Sequence, residues 1–420
     1  MKSNEKKHCI LCNLNSLTYI YAFLLPISCM HIHFFQDKMF EYSLMKNKML
    51  KYNLPMLFYY FLPKIFSIIF ILIVKLKTKT EGESSEQKNE KVLRRYHVFI
   101  RSKNKKKIYF LIFIISLLEV VYKIDDSLLA YLYKNGTINL LVEKRIGFII
   151  FVPFFSYYIL NKQIYRHHLL ALILALLGSF ILSFCRFKLE LSKIEDLPYH
   201  ILNILFSSFF SLALVLTKFI MVKYLIEAYN LLFYDGIFCI INTLICVLLE
   251  YFIIMAANPD EKFHDYFVNN YYEIINIFFW QNWEFYLSFF LTIVASFCYF
   301  VFNILTIFHF SPSLNVLTDF LTPFFLNIVN FVLIEYINEE EKDKDRKRFI
   351  YENIGYIIII FGALILNEII IINLFGLSEN TYSKICDRGL LDSKCVEEIS
   401  PNISLDTEND NLIDNEPEVF

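Results

Sequence analysis

The chain is 420 residues long, 56% hydrophobic and 18% aromatic with only 20% charged residues, and its mean hydropathy of +0.47 lies far above a soluble globular average. Apolar runs of about 20 residues recur along nearly the whole length, which excludes a secreted disulfide scaffold, a nucleic-acid-binding module and a soluble enzyme and leaves a polytopic membrane protein. The net charge of −2 conceals segregation: residues 75–107 hold twelve Lys or Arg against four Glu, and the tail from 376 holds eleven acids against three bases, so charge here marks sidedness.

Ten spans are predicted, at 10–34, 54–76, 108–133, 138–160, 167–186, 199–222, 230–256, 284–308, 313–336 and 353–374. Each is continuous in Leu, Ile and Phe instead of alternating polar and apolar, which selects helices over a barrel, and lipid requires backbone groups to be satisfied within the segment. The first run begins after His8, has no small-residue cleavage pattern, and reads as a span. Between spans one and two, residues 36–53 mix Met, Phe and Leu with Lys38, Lys46, Lys48 and Lys51, the pattern of an interfacial amphipathic helix. Residues 77–107 form a polar loop with a basic end, and 257–283, with acids among Tyr271, Tyr272, Phe278 and Trp280, reads as a second interface-lying segment. The connections from three to four, four to five, six to seven and eight to nine are a few residues long and make those neighbours antiparallel.

Counting Lys and Arg on alternate sides gives 21 inside and 14 outside when the N-terminus is cytosolic, so both termini are expected to face the cytosol. Five bases at 342–348 oppose this assignment, but five acids at 339–345 accompany them. The ten spans divide near residue 198 into two halves of five, each closing on a span with small residues: Ala171, Ala175 and Gly178 in one, Gly355, Gly362 and Ala363 in the other. An odd number of spans per half inverts the second copy and places a binding site at the bilayer midplane. The fold class is therefore expected to be an all-α polytopic membrane protein, ten transmembrane helices as two inverted five-helix repeats. Its first half is 1–198, its second 199–376, and an acidic cytosolic tail occupies 377–420. The small residues of spans five and ten also permit a homodimer face.

Three stretches carry a family resemblance. They are Asp125-Asp126-Ser127-Leu128-Leu129-Ala130-Tyr131 with the later Leu176-Leu177-Gly178; Leu216-Thr217-Lys218 leading to Leu231-Leu232-Phe233-Tyr234-Asp235-Gly236; and Phe310-Ser311-Pro312-Ser313-Leu314-Asn315-Val316-Leu317-Thr318-Asp319-Phe320. From about residue 100 onward the chain resembles the drug/metabolite transporter superfamily, which includes nucleotide-sugar transporters (solute carrier family 35) and chloroquine-resistance-transporter-like proteins. Phe233-Tyr234-Asp235-Gly236 stands where nucleotide-sugar carriers place Phe-Tyr-Asn-Asn, and Ser313-Leu314-Asn315 where some place Gly-Ala-Leu-Asn-Lys, so the Asn pair and the Lys are absent. The resemblance implies ten helices, cytosolic termini, alternating access and no cofactor.

An ionisable side chain inside a span costs about 2.5 kcal/mol or more on insertion scales, so it should face a cavity or a partner. Glu119, Lys123 and Asp126 are spaced i, i+4, i+7 on the third span, with Lys123 between two carboxylates: a cavity wall or a neutralised structural group. Arg145, early in the fourth span, either grips a substrate carboxylate or phosphate, or bridges to Glu119 or Asp126, or snorkels to the interface. Lys218 and Asp235, one in each helix of a hairpin with the Tyr234 hydroxyl beside them, compensate each other or line a cavity. Asn315, Asp319 and Thr322 repeat the i, i+4, i+7 spacing between Pro312 and Pro323, either as a gate with carbonyls freed by proline or as interhelical hydrogen-bonding glue. Lys64 and Glu368 are read as side chains reaching the interface and stay outside the site. No metal is expected, because no second ligand pair with zinc spacing follows His8-Cys9-Ile10-Leu11-Cys12.

These observations point to a secondary carrier that moves a small polar organic solute across an internal membrane, not to an enzyme. Its partners are the solute and membrane lipid, with a homodimer permitted and no nucleic acid. Glu408-Asn409-Asp410-Asn411-Leu412-Ile413 fits an acidic dileucine-type signal and favours an endosomal, lysosomal or vacuolar address over the cell surface, with the Golgi the other internal candidate. The rival readings are a membrane-embedded transferase acting on lipid and a scaffold that transports nothing.

Overall fold

A computed structural model describes residues 56–69, 72–73, 104–132, 141–162, 165–188, 197–257, 283–309, 311–316, 342–372 and five positions between 321 and 328. Among the described residues eight helices carry the fold: α1 (Met56–Ile65), α2 (Lys105–Leu132), α3 (Leu141–Ile159), α4 (Arg166–Lys188), α5 (Leu197–Tyr224), α6 (Ala228–Ala257), α7 (Trp283–His309) and α8 (Lys342–Leu366). Among the described residues there is no strand. Among the described residues five helices have stretches long and apolar enough to cross a membrane, Arg166–Phe184, Ile201–Tyr224, Ala228–Leu249, Phe290–His309 and Phe349–Leu366, and the chain is a multi-pass membrane protein. The chain divides into two units, Met1–Ile370 and Ile371–Phe420; all eight helices belong to the first.

Eight of the ten expected spans coincide with these helices. The span at 10–34, the interfacial segment 36–53, most of 257–283 and the tail lie outside the described residues, and the span at 313–336 is described only in part. Both boundaries of α8 differ from expectation, and α1 ends at Ile65 within the expected span 54–76. Lys342 to Arg348 belong to α8, so the charged run is helical instead of loop. The same helix ends at Leu366, eight residues before the expected end at 374, because Glu368 takes a left-handed φ of 55° and closes the helix there.

The core is a sandwich of helices around α5. Tyr122 of α2 stacks on Phe210 of α5 at 4.8 Å between ring centroids, and Phe148 of α3 lies 5.4 Å from Phe210. Aromatic pairs of this geometry add about 0.5–1.5 kcal/mol beyond the area they bury. At Gly147 of α3 an added Cβ would meet Ser207 Oγ of α5 at 1.6 Å, so these two backbones approach as closely as small residues in membranes allow.

The small residues of α4 and α8 face each other. A Cβ on Gly178 would meet Gly355 O at 2.7 Å, one on Gly355 would meet Leu182 Cγ at 2.6 Å, and one on Gly362 would meet Ala171 O at 2.9 Å. The opposite face of α4 carries Leu169, Ile173, Leu176, Leu177, Phe180 and Phe184, all exposed, as a lipid-facing stripe at helical spacing. The small residues that permitted a dimer face are thus occupied within one chain.

Candidate functional site

Helix α1 is interrupted. Pro63 removes one backbone donor, a turn falls at Phe66, and the bonds there are i to i+3: Phe66 N–H to Pro63 O at 3.1 Å and Ile69 N–H to Phe66 O at 3.0 Å. Lys64 sits at this break. Helix α6 packs against it through Gly236, where a Cβ would lie 2.6 Å from Lys64 Cβ and 3.3 Å from Ile65 N. Only glycine lets the two backbones approach so closely.

Lys64, 1% exposed, is the hub of a buried ion cluster. Its ammonium donates to Glu119 Oε2 of α2 and to Asp235 Oδ2 of α6, forming salt bridges with both. Cys239, one turn beyond Asp235, brings its sulfur to 3.8 Å from Lys64 Nζ and 3.7 Å from Asp235 Oδ1. The rings of Phe61 and Phe300 stand 5.4 and 4.8 Å from the ammonium, so cation–π attraction adds to the two carboxylates. Phe61 and Cys239, which touch Lys64, belong to a small buried apolar cluster with Val120 and Val247.

One turn along, Asn242 Nδ2 donates to Ser116 Oγ at 2.7 Å and Phe113 O at 3.3 Å, and Ser116 donates to Phe113 O at 2.8 Å. The polar face of α2 thus continues from Glu119 to Ser116 against α6. Lys123 lies 4.3 Å from the centroid of the Tyr60 ring, a second cation on the same face of α2. Lys64, Glu119 and Asp235 alone sum to one negative charge when all are ionised. In apolar surroundings such an imbalance is stabilised by a proton, a further cation or Lys123.

The structure therefore brings together Glu119, Lys123 and Asp235 of the expected site and adds Lys64, which sequence reasoning places at the interface. Lys64 stands near the middle of the expected span 54–76, too deep to snorkel, and that position was the available signal. Lys218 and Asp235 do not compensate each other. Asp235 is held by Lys64, whereas Lys218 Nζ donates to Phe308 O near the end of α7 at 2.8 Å, a favourable place for a cation at a helix C-terminus. Tyr234 turns from Asp235 toward α2 at a different level, its ring 5.1 Å from Tyr109.

Asn315 is fully buried in a short helical stretch, 312–316, that starts as the sequence requires: Ser311 Oγ accepts from Leu314 N–H at 3.1 Å as an N-cap and Pro312 takes the first helical position. Asp319 and Thr322 lie outside the described residues, and the side chains of Asp126 and Arg145 are not described although both residues are helical. Glu368 does not reach for the interface; its Oε1 lies 3.1 Å from His167 Nε2. Compared with known proteins, the chain matches no protein-family model, and no curated protein matches it.

Proposed function

We propose that the protein is a secondary-active carrier of a small polar organic solute, working by alternating access at the Lys64–Glu119–Asp235 cluster. The observation that carries this reading is a charged cluster, buried among apolar side chains, at the break in α1 where three helices meet. Carriers build midplane sites from interrupted helices, and an intramembrane ion cluster that served stability alone would be expensive to keep.

An inverted repeat of two five-helix halves is supported by how the helices pair. Exchanging the halves maps α1 onto α6, α2 onto α7 and α4 onto α8. The observed packing of α2 on α6 then maps onto α1 on α7, and both pairs are in contact. The pairs α1 with α6 and α4 with α8 map onto themselves, and both are also in contact. On this axis Lys64 has Glu119 of α2 on one side and Phe300 of α7, the mate of α2, on the other. We place the chain in the drug/metabolite transporter superfamily on the resemblance of its motifs, in an internal membrane with both termini cytosolic, acting without a cofactor and without nucleic acid. A homodimer would have to use surfaces other than the α4–α8 contact.

The test is thermal stabilisation of the purified protein by a panel of amino acids, dipeptides, nucleotide sugars, inorganic phosphate and monovalent cations, since a ligand that binds the native state raises its unfolding midpoint by mass action. A solute from the panel should stabilise the wild type, and Asp235→Asn should lose that shift while keeping a cooperative transition. Stabilisation by none of them, or a shift unchanged in Asp235→Asn, would turn the assignment toward a lipid-acting protein or a scaffold.

A further inference from the structure

Away from Lys64, two histidines and a carboxylate meet where α4 begins and α8 has ended. His167 and His168 follow Arg166, the first residue of α4, and Glu368 lies two residues past Leu366. The turn after α8 is closed by Glu368 N–H to Ile365 O at 3.0 Å and Ile369 N–H to Leu364 O at 2.9 Å. Glu368 occupies the left-handed position of this cap, where glycine is the usual residue and a side chain costs about 1 kcal/mol.

His167 is only 3% exposed, and among the described residues neither of its ring nitrogens has a hydrogen-bond partner. Its Nε2 is nonetheless 3.1 Å from Glu368 Oε1, close but outside hydrogen-bond direction. Two ligands bound to one tetrahedral zinc at about 2.05 Å each stand about 3.3 Å apart, which matches that separation. The His167 and His168 ring centroids are 4.0 Å apart, and each of the three residues offers a ligand atom within 4.8 Å of the other two. A buried imidazole that makes no hydrogen bond, and whose one polar contact is an ion-pair distance to a carboxylate, has an unmet need that an ion supplies.

We propose that His167, His168 and Glu368 bind a divalent transition-metal ion of the Zn²⁺ class, tying the start of α4 to the turn after α8. Two imidazoles and a carboxylate suit Zn²⁺, Co²⁺ or Ni²⁺ over Mg²⁺ and Ca²⁺, and three protein ligands leave one position for water or another donor. His168 has a competing role. Its Nδ1 accepts Tyr165 N–H at 3.1 Å, reaching back over the first turn of α4 as the glutamate of a capping box does. Ligation through that nitrogen gives up this cap, whereas ligation through Nε2 keeps it. The site is independent of the Lys64 cluster and of any transport activity.

The experiment is thermal unfolding of the purified full chain titrated with ZnCl₂, NiCl₂ and MgCl₂. Zn²⁺ and Ni²⁺ should raise the midpoint saturably and Mg²⁺ should not. His167→Ala should weaken the Zn²⁺ response at least tenfold, while His309→Ala should leave it intact. Glu368→Gly supplies the control for folding: it relieves the left-handed strain, so the metal-free variant should be at least as stable as the wild type, yet its Zn²⁺ response should also fall at least tenfold. No Zn²⁺ shift in the wild type, or a shift retained in both His167→Ala and Glu368→Gly, would overturn the proposal.

Discussion

Lys64 satisfies two carboxylates at once, and its removal should be costly out of proportion to one side chain. Breaking a buried ion pair from one side costs about 3–5 kcal/mol, because the remaining charge is stranded. Lys64→Met should therefore lower the unfolding midpoint sharply, and the triple variant Lys64→Met, Glu119→Gln, Asp235→Asn should recover much of the loss; thermal denaturation of both in detergent decides it. Equal destabilisation by single and triple variants would mean that the cluster is solvated. Two of the three members of this cluster were legible in the sequence. Glu119 and Asp235 stand out as acids inside apolar runs, but each has a candidate partner nearby in the chain, Lys123 four residues on and Lys218 across a hairpin. Pairing in space is set by which face a helix turns toward its neighbour, and that is tertiary information. Asp235 faces α1, and Lys218 finds a helix C-terminus on α7 instead.

At the scale of elements, glycine determines how closely helices approach. Gly236 holds α1 against α6 at the level of Lys64, so Gly236→Val should push the helices apart and misplace the ammonium. Overpacking of this kind costs about 1–3 kcal/mol, and the variant should lose ligand-induced stabilisation before it loses its fold, as parallel thermal scans with and without ligand would reveal. Gly355→Val, in the α4–α8 contact, should instead lower stability and leave ligand response intact in the protein that folds, because that contact lies away from the ion cluster. The apolar helices were readable because long apolar runs report directly on length. The break in α1 was not, although Pro63 marks it, since a proline inside a membrane helix alone does not say whether neighbours will satisfy the freed carbonyl. The early end of α8 was equally hidden: Glu368 adopts a glycine-like conformation that its residue type does not announce.

At the scale of the whole molecule, the halves expected from the sequence are joined by α1 on α6 and by α4 on α8, so each half contributes to the ion cluster and to the second contact. In the proposed alternating access by rocking, such a cluster would be exposed in turn to either side as the rings of Phe61 and Phe300 beside it part and close. Cys239 lies against Lys64 and Asp235 and reports on the access of the cluster. The most direct measurement is therefore labelling of Cys239 by a membrane-impermeant thiol reagent applied to either face of sealed vesicles, in a variant whose other eight cysteines are replaced. Alternating access predicts that Cys239 is modified from both faces and that adding a solute which stabilises the protein changes the two rates in opposite directions. Modification from one face only, or from neither, would contradict it.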